Sequence, residues 1–147
     1  MVKRTIGWIL ATCVFLPACG DDGDGGEDPG GTADSLEIAG EWESSFMSTE
    51  VIDVDSWSVD SSFGMSASEI VEFSNDDNAA VLLADDGTYG RNVWTDIEGE
   101  SFWYCTVSFG EATALDAVNH SQPTDTSDPL TRGCGDGDFG WTMLTRK

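Results

Sequence analysis

From Trp42 to the C-terminus, apolar residues recur on alternate positions in short runs, and turn signals separate the runs. A period of two gives each run one buried and one wet face, which selects strands and disfavours helices. Trp42, Ser44, Phe46 and Ser48 share one side; Glu41, Glu43 and Ser45 share the other. Thr49 to Trp57 is a second run, with Ile52 and Val54 between Asp53 and Asp55. The serine-rich residues 58–68 read as a long connection. Glu69 to Ser74 follows with Val71 and Phe73 inward, then a turn over Asn75–Asn78, then Ala79 to Ala84 with Val81, Leu82 and Leu83 buried on both sides. Asp85-Asp86-Gly87 predicts a hairpin of type I′, because Asp-Gly tolerates the positive φ angles that turn requires. Thr88 to Asp96 carries Tyr89, Val93 and Trp94.

Ser101 to Phe109 is the most apolar run. Its Trp103, Cys105, Val107 and Phe109 are assigned to the inner face, and Phe102 and Tyr104 to the other. Glu111 to Asn119 is the one helical stretch, with Ala112, Leu115 and Val118 on one face. So short a helix must pack on a sheet to persist. A last strand covers residues 138–146, where Phe139, Trp141 and Met143 alternate with Gly140 and Thr142. About seven short strands with one helix give a mainly β domain over residues 36–147, a small antiparallel barrel or sandwich.

The first 35 residues obey different rules. Met1-Val2-Lys3-Arg4 is basic, and Thr5 to Leu16 is an apolar segment of 12 residues. That is short of the roughly 20 needed to span a bilayer and fits a signal peptide over residues 1–18. From Gly20 to Ser35 the chain is rich in glycine and acids and holds nothing more hydrophobic than alanine. Such a stretch cannot offset its own ordering entropy and reads as a disordered tether over residues 19–35. The junction, Leu16-Pro17-Ala18-Cys19, resembles the bacterial lipoprotein cleavage box in its leucine, its small residue and its cysteine. The resemblance implies that Cys19 is diacylated and becomes the mature N-terminus, anchoring the chain in the cell envelope. More than one acyl chain is needed for stable anchoring. Gly20, rather than aspartate, follows the cysteine, and the family's sorting logic then implies the outer membrane, on either face.

The chain carries 28 acids against 6 bases, a formal charge of −22. Lys3 and Arg4 fall inside the signal, so the mature form is more acidic still. Such a surface repels nucleic-acid phosphates and anionic headgroups. Solubility accounts for the charge, and a cationic or metal-ion partner is the other reading. Cys13 leaves with the signal and Cys19 takes the lipid, so Cys105 and Cys134 remain as a pair in an exported chain and are expected to be disulfide-bonded. The competing reading is a pair of metal ligands, but there is no CxxC and the sole histidine is His120.

Two further resemblances concern the domain. Gly40-Glu41-Trp42 looks like the Gly-x-Trp opening of lipocalin-like barrels. Phe102-Trp103-Tyr104-Cys105, the acid- and alanine-rich helix, Gly133-Cys134-Gly135, Trp141-Thr142 and Leu144 together resemble an uncharacterised group of small bacterial envelope lipoproteins. This supports the fold and the disulfide but implies no activity.

No motif of catalysis stands out. There is no Gly-x-Ser-x-Gly elbow, phosphate loop or dinucleotide fingerprint. Acid pairs such as Asp53 with Asp55 are expected by chance in so acidic a chain, and no catalytic residue, cofactor or metal is assigned. Trp57, Phe102 and Tyr104 are the aromatics expected to be exposed, and therefore the candidate ligand-binding residues, suited to a sugar, a small apolar ligand or an envelope protein. The expected function is a noncatalytic, lipid-anchored envelope protein that mediates binding or surface contacts. The alternatives are a lipocalin-like carrier with an aromatic-lined cavity and a small hydrolase using His120.

Overall fold

The computed structural model describes residues 35–130, 133–135 and 140–147, all within the unit Gly31–Lys147. The signal, the lipidation position Cys19 and nearly all of the tether lie outside the described residues, as do Asp138 and Phe139 of the expected last strand.

The alternating pattern does produce an antiparallel barrel. Eight strands run β1 (Gly40–Ser44), β2 (Thr49–Ile52), β3 (Ser56–Ser61), β4 (Gly64–Ser74), β5 (Ala79–Ala84), β6 (Tyr89–Trp94), β7 (Ser101–Glu111) and β8 (Thr142–Arg146). Each pairs with the next, and β8 pairs back onto β1 through Trp42 opposite Arg146, so no sheet edge is left open. The helix α1 (Ala114–Asn119) packs outside on β5, β6 and β7.

The eighth strand comes from two corrections. Thr49 to Trp57 is not one strand: it turns at residues 53–55, where Val54 is exposed, and separates β2 from β3. The serine-rich segment is not a long connection: a two-residue turn at Ser62-Phe63 joins β3 to β4, with Ser61 opposite Gly64 and Trp57 opposite Ser68. Serine there marks small side chains in strands rather than a loop.

Several faces are also reassigned, because strands covered on both sides do not reveal their inner face by hydrophobicity. On β7 the interior side chains are Phe102 and Tyr104, while Cys105 and Val107 form a separate outer cluster with Cys134, Trp141 and Trp103. The pairing of β6 with β7 then slips between Arg91 and Asn92, and beyond that bulge Phe109 reaches the rim, exposed. On β4 a bulge at Val71 leaves Val71 exposed and brings both Ile70 and Phe73 to the core. On β8 it is Leu144 that fills the interior, with Trp141 outside.

β7 runs on to Glu111, so the helix has only six residues, capped by the Thr113 hydroxyl, which accepts from Asp116 N at 3.1 Å. The helix buries Ala117, not Leu115 or Val118. The small Ala117 lets the backbone come close enough for Ser108 Oγ to donate to its carbonyl at 2.7 Å. At Asp85-Asp86-Gly87 the hairpin forms, but Gly87 alone has positive φ, +82°, which makes it a type I turn with a G1 bulge. The Cys105–Cys134 disulfide is present, with Cα atoms 5.6 Å apart, and straps the segment after the helix to β7.

One end of the barrel is closed. Residues 36–39 cross it, and Leu36 and Ile38 are buried against Trp42, Trp94, Phe102 and Leu144. The crossing is fixed by polar contacts: Trp42 Nε1 donates to the Ile38 carbonyl at 2.9 Å and Trp94 Nε1 to Glu37 Oε1 at 2.7 Å. Asn75, in the β4–β5 turn, accepts from Glu37 N at 3.1 Å and donates to the Ser35 carbonyl at 2.8 Å.

Candidate functional site

The two ends of the barrel differ in what the strands send inward. Near the closed end the interior is filled by Trp42, Trp94, Phe102, Ile52 and Leu144. Towards the other end the inward positions are small, namely Ser66 and Ser68 on β4, Ala84 on β5 and Gly90 on β6. Eight strands enclose just enough room for side chains to fill the centre, so small side chains leave space. The result is a cavity of about 260 Å³ open at this end. Gly90 is a steric requirement: a Cβ there would lie 2.9 Å from the Ser108 carbonyl oxygen, where the β6–β7 pairing slips.

The inner wall of the cavity is aromatic. Trp57 and Tyr104 both line it, with ring centroids 4.9 Å apart and planes at 57°. They share a partner, Glu50 on β2. Trp57 Nε1 donates to Glu50 Oε2 at 2.8 Å and the Tyr104 hydroxyl donates to Glu50 Oε1 at 3.1 Å. Glu50 is 1% exposed, one of the most deeply buried side chains in the described residues. Burial pushes its carboxyl pKa up, and the two donated hydrogen bonds oppose that push. Tyr104 is held protonated far beyond neutral pH, first by burial and then by the neighbouring Glu50 charge. Both Glu50 oxygens accept, which is the pattern of an ionised carboxylate.

On β6, the strand paired with that of Tyr104, Asn92 is buried and lines the same cavity; its Oδ1 accepts from Thr106 Oγ1 at 2.7 Å. That bond orients the amide and leaves its N–H groups as donors with no partner among the described residues. The open end also carries exposed bulky side chains: Phe46 and Met47 in the β1–β2 turn, Phe63 in the β3–β4 turn and Phe109 on the rim.

Against the sequence reading, Trp57, Phe102 and Tyr104 are not exposed. Trp57 is 4% and Phe102 1% accessible, and Tyr104 is partly buried in the same core. Trp57 and Tyr104 come together at the cavity. Phe102 does not join them; it packs edge-on to Trp42 at 4.8 Å, deeper in the core. Glu50 was missed altogether. Its signal was available: Glu50 lies two residues before Ile52, on the buried face of the strand, and an acid in phase with apolar residues is the informative exception.

His120 sits at the end of α1, well exposed, with Nδ1 2.8 Å from Glu111 Oε2. That hydrogen bond raises its pKa. Among the described residues no serine hydroxyl bonds its ring. Comparison of the chain with protein-family models, with curated proteins and with solved structures returns no match.

Proposed function

We propose that this protein is a noncatalytic binding protein of the bacterial cell envelope that carries a small molecule in the open end of its barrel. The observation that carries the reading is the cavity itself: small inward residues keep it open, and Trp57, Tyr104 and Asn92 converge on it from three strands. A mostly apolar concave site with a few fixed polar groups is the usual form of a small-molecule site. At about 260 Å³ it is a little below the range of drug-sized pockets, roughly 300–1,000 Å³, and suits a small ligand. Anchoring through acyl chains on Cys19 belongs to the same proposal. Ser35, the first described residue, is bound by Asn75 at the closed end.

A second reading, surface contact with another envelope component, is favoured by the exposed Phe46, Met47, Phe63 and Phe109 around the mouth. The two readings separate in one experiment. Thermal shift is measured for a panel of small neutral, cationic and anionic amphiphiles, on the wild-type domain and on Ser68→Leu, which intrudes on the cavity beside Trp57. A saturable shift lost in Ser68→Leu supports the carrier. No shift with any compound, or one that survives the substitution, contradicts it.

A further inference from the structure

We propose that the cavity takes an organic ammonium ion, with its alkylated nitrogen against Trp57 and Tyr104 and the Glu50 carboxylate behind them. This rests on the reading of the cavity as a ligand site and goes beyond it by naming the ligand's chemistry.

Three observations point the same way. First, Trp57 from β3 and Tyr104 from β7 meet across the barrel and both line the cavity, with ring centroids 4.9 Å apart and planes at 57°. Aromatic rings that converge in this way attract cations through their negative faces, and desolvated sites strengthen the effect. Second, both rings donate their polar hydrogen to one carboxylate, Glu50 Oε2 from Trp57 and Oε1 from Tyr104. Donation to an anion moves electron density into the rings and makes their faces more negative. The carboxylate adds its own field at short range, in surroundings from which water is largely excluded. Third, no basic side chain among the described residues lines the cavity. The bases among the described residues are Arg91, Arg146, Lys147 and His120, and none lines it. Arg91 bonds Ser121, Arg146 lies over Trp42, and Lys147 bonds Glu41. The charge of −22 draws cations towards the surface and repels anions. The Asn92 amide adds a donor for a hydroxyl or carbonyl oxygen on the same ligand.

A free quaternary ammonium compound and a lipid headgroup share this chemistry. The first carries the ammonium alone, and the second carries a phosphate close by. Choline and phosphocholine represent the two, and 3,3-dimethylbutan-1-ol is choline with carbon in place of nitrogen.

The test is a calorimetric titration of the lipid-free mature chain at low ionic strength with these three compounds. Choline or phosphocholine is expected to bind at least about tenfold more tightly than the neutral isostere. Preference for choline identifies a free quaternary ammonium compound, and preference for phosphocholine a lipid headgroup. Trp57→Phe and Glu50→Gln are expected to reduce ammonium affinity about tenfold or more, and added salt to weaken it. Ser68→Leu keeps both rings and the carboxylate but occupies the space beside Trp57, and it must abolish binding, which keeps the test decisive if the Glu50 variant does not fold. Equal binding of the neutral isostere, lost in Ser68→Leu, overturns the ammonium proposal and leaves the carrier standing. Ammonium binding that persists in Ser68→Leu overturns the site. The absence of any binding, here and across the wider panel, overturns both.

Discussion

Arg146, near the end of the last strand, lies over the ring of Trp42 in the first, with its guanidinium carbon 4.6 Å from the ring centroid. The two residues are also opposite one another in the β1–β8 pairing that closes the barrel. The contact covers the indole where the closed end meets solvent, and Trp42 is wholly buried beneath it. Arg146→Ala is expected to cost about 1 kcal/mol, the value of a cation–π contact at a partly exposed site. Trp42→Ala removes the ring itself and is expected to cost about 3–5 kcal/mol. Urea denaturation of both variants checks the order; equal effects would mean that Arg146 holds the closure by some other route.

The disulfide ties Cys105 to Cys134 across 29 residues. In the chain-entropy treatment a loop of that length is worth roughly 3–4 kcal/mol. Cys105→Ala with Cys134→Ala should therefore lower the unfolding free energy by about that amount. The outer cluster of Val107, Trp141 and Trp103 should loosen first, because the strap lies over it. Hydrogen exchange that is fastest in β7 and in the segment around Cys134 would bear this out, and a uniform loss of protection would not.

Glu50 makes a prediction about pH. Its pKa is raised in the folded state, so between its ordinary value of 4.5 and the raised one the folded chain holds more protons than the unfolded chain. Stability contributed by protonated Glu50 is thus lost as pH rises through that window. Glu50→Gln removes this titration, so its stability should fall less steeply than the wild type's over the same range. Glu50→Ala leaves the Trp57 and Tyr104 donors without their partner and should cost about 2 kcal/mol at neutral pH. Identical pH slopes for wild type and Glu50→Gln would show that the group does not titrate as described.

The proposed anchor has its own test. Mass spectrometry of the mature N-terminus is expected to find the chain beginning at Cys19 with acyl chains attached. An unmodified Cys19, or cleavage elsewhere, contradicts the anchor without touching the barrel.

The strands were legible where one face is wet. β1 showed its buried Trp42 and Ser44 against Glu41 and Glu43, because polar residues marked the other side. The inner face of β7 was not legible, since the outer cluster under the disulfide strap is as apolar as the interior, and Phe102 and Trp103 look equally suited to either. Bulges added a second failure. At Val71 and beyond Thr106 the alternation slips by one residue, and no composition rule places that slip. The cavity was hidden for a related reason. Ser66 and Ser68 read as loop residues, whereas in the barrel their smallness is what keeps space open beside Trp57. The Cys105–Cys134 pairing was readable because only two cysteines remain once Cys13 and Cys19 are assigned to the leader and the anchor.

The central claim is that Trp57 and Tyr104 form the wall of a ligand site and not merely a part of the packed core. The most direct measurement is the indole N–H region of a ¹⁵N–¹H spectrum, with each tryptophan assigned by single substitution, during titration with choline. The Trp57 indole signal and the Asn92 side-chain amide should move saturably together, while the indoles of Trp42 and Trp94, held by Ile38 and Glu37 at the closed end, stay in place. A Trp57 signal that does not move, while those of Trp42 and Trp94 do, would contradict the account.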